Sequence, residues 1–91
     1  MAIGFIFELP GATAAQYDSL MDTMKLNGAM GEGGLSHMAA PMDGGWRVVD
    51  LWESQAAFDK FFSEKLGPAL QSTGLPVPNI TVLDVHNYIT T

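Results

Sequence analysis

The sequence predicts an α+β fold of the ferredoxin-like type, in which four antiparallel strands form one sheet and two helices cover one of its faces. Strand-like segments rich in apolar, β-branched and aromatic residues occur together with two segments of helical periodicity, and glycine- or proline-rich turns separate them. The resulting order is β-α-β-β-α-β, the split β-α-β arrangement. At 91 residues, the chain fits a single domain over residues 1–91.

Four segments predict strands. The first is apolar at nearly every position, which predicts a strand buried on both faces. The turn residues of segment 41–45 supply the special backbone conformations of a hairpin between the second and third strands. The predicted strands are Ala2–Leu9, Leu35–Ala40, Trp46–Glu53 and Ile80–Ile89.

Two segments predict amphipathic helices. In the first, Thr13 and Gln16 form a capping-box pattern, and the helix is expected to end near residues 27–28. In the second, Ser54 is a favourable N-cap, and the Gly-Pro pair at 67–68 is expected to interrupt the helix. The apolar stripes are Tyr17, Leu20, Met21 and Met24 in the first helix, and Phe58, Phe61, Phe62 and Leu66 in the second.

The composition limits the partners. Charged residues make up 15% of the chain, against a usual ~25%, and the net charge is −6. With only four basic residues there is no basic patch for phosphates, so nucleic-acid binding is not expected. The absence of cysteine excludes disulfides and thiolate metal sites. The first ten residues resemble neither a signal peptide nor a membrane span, so we expect a cytoplasmic protein without membrane contact.

The predicted sheet is apolar on both faces. In the first strand Ile6 points away from Phe5, and in the last strand Leu83 points away from Val82. Two helices cover only one face, and an exposed apolar area of several hundred Å² is unusual for a monomer. We therefore expect a homodimer in which the free sheet face of one copy covers that of the other.

The segment Gly44–Ser54 (GGWRVVDLWES), the helix that carries Phe61 and Phe62, and the triplet Val-His-Asn at 85–87 resemble small members of the dimeric α+β barrel superfamily. This superfamily includes antibiotic biosynthesis monooxygenases and haem-degrading monooxygenases. The resemblance extends from the first strand to about Ile89 and implies the dimeric α+β barrel fold. The superfamily contains oxygenases, isomerases, decarboxylases and proteins with no known reaction, so the resemblance implies no single activity.

The resemblance to the haem-degrading branch is incomplete. That branch has an Asn on the first strand, a Trp at the end of the third strand and a haem-ligating His in the second helix. Trp52 matches the Trp, but the first strand has no Asn and the second helix has Phe61 and Phe62 without a His. No haem and no other cofactor is therefore expected. The cofactor-free quinol oxygenases of the superfamily resemble this chain in two respects. They have a tryptophan that corresponds to Trp52, and they have a pocket between the sheet and the helices.

Four residues are candidates for a catalytic or binding site. His37 is a candidate general base, and Asp50 is a candidate proton acceptor or donor because bulky apolar neighbours would disfavour its charged form. Trp52 is a candidate to stack on a flat substrate, and His86 is a candidate to contact it. Each also has a structural alternative. The two histidines are then hydrogen-bonded structural residues, and Trp52 is a core residue. The Asp50 carboxylate is then paired with Arg47 or with a lysine of the partner subunit.

No metal site is predicted. In the predicted strand order 4-1-3-2 the two histidines lie on opposite edges of the sheet, about 14 Å apart, so one subunit cannot bring both to one metal ion. In a face-to-face dimer, a site between His86 and the partner subunit's His37 is conceivable. The glycine-rich loop at 28–34 follows a helix and lacks the residues of a phosphate-binding loop, which leaves a mobile flap over a pocket as its functional interpretation.

The leading hypothesis is a small homodimeric α+β barrel protein with an apolar pocket. It acts as a cofactor-independent monooxygenase-like or isomerase-like enzyme on an aromatic or polyketide-like small molecule. The alternative is a non-catalytic ligand-binding or assembly module. A closed core without a cavity near Trp52 would exclude the enzyme hypothesis.

Overall fold

The computed structural model describes residues 2–90 and contains one four-stranded antiparallel sheet with the strand order β2-β3-β1-β4. The helices pack on one face of this sheet, so the predicted ferredoxin-like α+β fold is confirmed. The elements are β1 (Ile3–Pro10), α1 (Ala14–Met24), β2 (Gly34–Met42), β3 (Gly45–Trp52), α2 (Gln55–Phe61), a π-helical turn (Phe62–Leu66), α3 (Gly67–Thr73) and β4 (Asn79–Asp84).

Both predicted helix starts are confirmed by their caps. The Thr13 hydroxyl accepts a hydrogen bond from the Gln16 N–H, and the Gln16 side chain accepts one from the Thr13 N–H. The Ser54 hydroxyl accepts a hydrogen bond from the backbone N–H of Ala57. The α1 helix ends at Met24, earlier than predicted, because Lys25 adopts a left-handed conformation with φ of 55°.

The Gly-Pro pair does not interrupt the second helix, so that prediction was wrong. The chain continues from α2 through the π-helical turn, in which the Gly67 N–H donates to the Phe62 carbonyl, five residues earlier. Pro68 lies at the start of α3, which follows directly on the π-helical turn. A Cβ at position 67 would lie 3.0 Å from the Phe62 carbonyl oxygen, so glycine permits this close approach.

The core lies between the sheet and the helices. Strand β1 contributes Phe5, Phe7 and Leu9 to it, and all three are buried. Ile6, on the opposite face, is only half-buried. The prediction that β1 is buried on both faces is therefore wrong for the single chain, because the helices cover only one face of the sheet. In the part of the chain that the structure describes, no helix is long and apolar enough to cross a membrane.

Strand β4 ends at Asp84, five residues before the predicted end. Asp84 pairs with Ile3, the first residue of β1, so the chain beyond it has no β1 residue to pair with. His86 consequently lies outside the sheet and is exposed, which corrects its predicted position on the last strand.

Candidate functional site

A cavity of about 440 Å³ lies on the helix-covered side of the sheet. Its size is within the ~300–1,000 Å³ typical of small-molecule sites, and its wall is mostly apolar. Residues of α1, α2, the π-helical turn, α3 and three strands line it, together with the glycine-rich loop (residues 28–34). The lining side chains with polar atoms are Tyr17, Ser36, His37, Asp50 and Trp52.

His37 and Asp50 form a hydrogen-bonded pair at the cavity wall. Antiparallel pairing places them directly opposite each other on β2 and β3, so both side chains project to the helix-covered face. The His37 Nδ1 lies 2.6 Å from the Asp50 Oδ1, and Asp50 is only 7% exposed. The carboxylate therefore fixes the orientation of the imidazole ring and leaves its Nε2 free for another partner.

Trp52 holds the other oxygen of the same carboxylate. It lies two residues after Asp50, so the two side chains share one face of β3. The indole Nε1–H donates to the Asp50 Oδ2 over 3.0 Å, and Trp52 itself is 1% exposed. Each oxygen of the buried carboxylate thus has one identified hydrogen-bond partner.

Tyr17 completes the hydrogen-bonded chain from α1. Its hydroxyl oxygen lies 2.6 Å from the His37 Nε2. Burial raises the pKa of Tyr17 above its usual 10.0, and the nearby charges of Asp50 and Asp18 raise it further. Tyr17 therefore stays protonated near neutral pH. With a neutral imidazole, the arrangement fits Tyr17 donating to Nε2 and Nδ1–H donating to Asp50.

Solved structures share this architecture, although no protein-family model and no curated protein matches the chain. SnoaB, a cofactor-independent oxygenase from Streptomyces nogalater, matches 99% of this chain and 98% of its own at 12% identity, with a TM-score of 0.71. A Caulobacter crescentus protein proposed to be an antibiotic biosynthesis monooxygenase matches with 21% identity and a TM-score of 0.73, over 94% of this chain and 91% of its own. The chain shares the ferredoxin-like α+β fold of these structures.

A third similar structure is that of a protein of unknown function. The NE2512 protein of Nitrosomonas europaea is 19% identical, with a TM-score of 0.77 over 99% of this chain and 94% of its own. Identities this low show the fold alone. The candidate site must therefore be argued from the residues of this chain.

Within this ferredoxin-like fold, three of the four predicted site residues line one cavity. These are His37, Asp50 and Trp52. The fourth, His86, does not line the cavity, because it follows the end of β4. The alternative pairing of Asp50 with Arg47 is absent, since Arg47 lies on the opposite face of the sheet and bonds Glu8 at 2.7 Å.

The sequence prediction missed Tyr17 as a site residue. It was assigned to the apolar stripe of α1, together with Leu20 and Met24. The available signal was a phenol hydroxyl on an otherwise apolar helix face, which requires a hydrogen-bond partner when it is buried.

The residues around the cavity do not resemble a metal or haem site. Within residues 2–90, no group of three His, Asp or Glu side chains could hold a metal ion. The second helical segment contributes Phe61 to the cavity wall, and it contains no histidine that could bind haem iron.

The glycine-rich loop forms part of the cavity wall. Gly28, Ala29, Met30 and Gly31 all line the cavity. A Cβ at Gly31 would lie only 2.5 Å from Cδ1 of Phe61, so the loop backbone packs directly against α2 at this point. The loop therefore shapes the cavity, whereas its predicted motion as a flap stays a prediction.

Proposed function

We propose that this chain is a homodimeric enzyme that removes a proton from an aromatic or polyketide-like molecule and acts without a cofactor as a monooxygenase or isomerase. One observation carries the proposal: the Asp50–His37 pair faces an apolar cavity between the sheet and the helices. His37 is the proposed general base, Asp50 orients it, and Trp52 contributes both to the cavity wall and to the position of Asp50.

The pair is suited to proton abstraction. The carboxylate holds the Nδ1–H, so Nε2 carries the lone pair that accepts a proton. Once protonated, the imidazolium lies 2.6 Å from a buried carboxylate, which stabilises its charge. Loss of a proton from a phenol or from carbon next to a carbonyl leaves an anion that the aromatic system delocalises.

Two outcomes are chemically balanced from that anion. If the carbon has two hydrogens, reaction with dioxygen converts the CH₂ group to a carbonyl, and the second oxygen atom leaves as water. Return of the proton to a different carbon gives an isomer instead. The description of SnoaB as a cofactor-independent oxygenase favours the first outcome.

The lining of the cavity supports an uncharged, flat ligand. Among the residues that line it, none is Lys or Arg, and Asp50 is the single carboxylate. A ligand carboxylate or phosphate would therefore enter without a cationic partner and close to a negative charge. Phe61 supplies aromatic surface, and Trp52, which is only 1% exposed, packs against it with the ring centroids 5.0 Å apart.

Oxygen uptake over a panel of small hydroquinones, anthrones and naphthols tests the function, with absorbance spectra to detect isomerisation. We expect His37→Ala to lower the rate by about 10²- to 10⁴-fold, because that is the range for removal of a general base. Asp50→Asn should also lower it by disturbing the imidazole. His86→Ala is the matched control and should retain the wild-type rate.

Equal rates in all of these variants would contradict the roles of His37 and Asp50. Binding of panel members without oxygen uptake or isomerisation would instead favour the non-catalytic ligand-binding module.

A further inference from the structure

We propose that Tyr17 contacts the substrate and relays its proton to His37. This inference rests on the proposed function, because it assigns the route by which the general base receives the proton.

The hydrogen-bond geometry leads to this assignment. The Tyr17 hydroxyl is 2.6 Å from the His37 Nε2, so it occupies the ring nitrogen that must accept the proton. A ligand in the cavity reaches that nitrogen directly only if it displaces the hydroxyl. Tyr17 itself lines the cavity, and a phenol oxygen that donates its proton to His37 keeps lone pairs that can accept a hydrogen bond from a ligand.

The proposed step moves two protons in sequence or together. The substrate hydroxyl gives its proton to the Tyr17 oxygen, and the proton already on Tyr17 moves to the His37 Nε2. One substrate O–H bond and the original tyrosine O–H bond break, while a new tyrosine O–H bond and an Nε2–H bond form. The electron pair stays on the substrate oxygen, and Asp50 stabilises the imidazolium. Tyr17 is neutral before and after the step.

Surrounding groups hold Tyr17 in this role. Its ring packs against Trp46, with the centroids 5.5 Å apart, which fixes the direction of the hydroxyl. Burial of Tyr17 disfavours a tyrosinate, as do the carboxylates of Asp50 and Asp18, so Tyr17 passes a proton and does not serve as the terminal base. The terminal acceptor is His37, which has its own carboxylate partner.

A structural tie between α1 and β2 is the competing explanation for the same hydrogen bond. The two explanations differ in what a ligand hydroxyl contacts. A relay requires that a ligand hydroxyl donate to Tyr17, whereas a structural tie requires no contact between Tyr17 and the ligand.

Paired probes separate the explanations: 7-hydroxycoumarin can donate a hydrogen bond, and 7-methoxycoumarin cannot. We expect the wild-type protein to bind the hydroxy compound roughly three- to tenfold more tightly, the range for one net hydrogen bond. Tyr17→Phe should remove this preference, because the phenylalanine ring still covers the imidazole edge but has no hydroxyl. Tyr88→Phe is the matched control and should keep it, since Tyr88 is exposed beyond β4.

A second measurement uses the wild-type protein alone. Nuclear Overhauser effects between the ring protons of bound 7-hydroxycoumarin and those of Tyr17 are expected. Their absence from a complex that does form would overturn the inference, as would a Tyr17→Phe variant that keeps the hydroxyl preference.

The outcomes also separate the two proposals. If Tyr17→Phe keeps the preference while His37→Ala is inactive on the oxygen-uptake panel, the relay is wrong and the general base stands. If His37→Ala retains the wild-type rate, the proposed function is wrong. Failure of both coumarins to bind the wild-type protein would contradict both proposals, because each requires a flat aromatic ligand in the cavity.

Discussion

Asp50 is the residue on which the candidate site depends. Its carboxylate is buried, yet one oxygen accepts from His37 and the other from Trp52. A buried charge is tolerated only when such partners compensate for lost hydration. Removal of either partner therefore affects both the stability of the protein and the orientation of the imidazole.

Substitutions of the two tryptophans test this contact, and Trp52 is the more deeply buried of the two. We expect Trp52→Phe to lower the free energy of unfolding by at least about 1.5–3 kcal/mol more than Trp46→Phe, because it removes a hydrogen bond to a charged group and also leaves a cavity at a fully buried site. The Trp46 Nε1 is buried and has no hydrogen-bond partner within residues 2–90. Removal of its N–H by the Trp46→Phe substitution therefore breaks no hydrogen bond of the described residues. Urea unfolding at one protein concentration measures both variants. Equal losses would show that the indole hydrogen bond to Asp50 contributes little.

Tyr17 is expected to make the free energy of unfolding decrease at alkaline pH. Because its pKa is raised in the folded state, the folded protein retains a proton that the unfolded chain loses above about pH 10.0. This contribution to the free energy of unfolding is complete below pH 10.0 and falls as the pH rises further. We expect Tyr17→Phe to flatten the alkaline decrease, measured by urea unfolding between pH 9 and 11. A decrease as steep as in the wild type would contradict the shift, and Tyr88→Phe serves as the control.

At the scale of elements, the cavity wall depends on close packing between the glycine-rich loop and α2. Gly31 approaches the ring of Phe61, and a Cβ at Gly33 would lie 2.6 Å from the Cβ of Ala57. Glycines therefore permit the loop to lie directly on the helix. The π-helical turn keeps the chain helical past Pro68, so that Leu70 enters the core and the cavity wall.

Two glycine-to-alanine substitutions, one in this loop and one at the turn after β1, separate a clash from backbone strain. Gly31→Ala should force the Phe61 ring or the loop to move, and we expect weaker binding of 7-hydroxycoumarin together with lower stability. Gly11 has φ of 79°, open space around its Cβ position and no place in the cavity lining, so Gly11→Ala should cost only about 1–2 kcal/mol of stability and leave binding unchanged. Equal affinities in both variants would show that the contact with Phe61 does not shape the ligand site.

At the scale of the whole molecule, one face of the sheet has no covering layer in the single chain. Met38 is 62% exposed and Leu83 is 43% exposed on this face, where Ile6 and Val49 form the half-buried centre. A second copy packed on this face would remove apolar surface from water and is our proposed homodimer.

A matched pair of charge substitutions tests the dimer. The wild-type protein should sediment as a particle of about 20 kDa, twice the 9.8 kDa chain. Val49→Lys puts a charge in the middle of the proposed interface, and we expect about 10 kDa at micromolar concentration. Val77→Lys lies between α3 and β4, away from this face, and should stay dimeric. A wild-type monomer, or a Val49→Lys dimer, would contradict the proposed interface.

Local patterns predicted the fold well. The capping residues Thr13 and Ser54 marked both helix starts, since caps are short-range interactions within four residues. The end of β4 and the continuity of the second helix were wrong, because each depends on contacts with other parts of the structure. Strand β4 ends where β1 offers no further partner, and the π-helical turn accommodates Pro68.

The sequence by itself determined the order of elements and the position of Asp50 and Trp52 on one face of the third strand. These properties follow from periodicity along the chain. Only the tertiary structure decided that Tyr17 joins them and that His86 does not. A hydrogen bond between α1 and β2 joins residues 20 positions apart, and no local pattern specifies which helix face meets which strand. The cavity is likewise a property of three-dimensional packing, because its volume is what the side chains of separate elements leave unfilled.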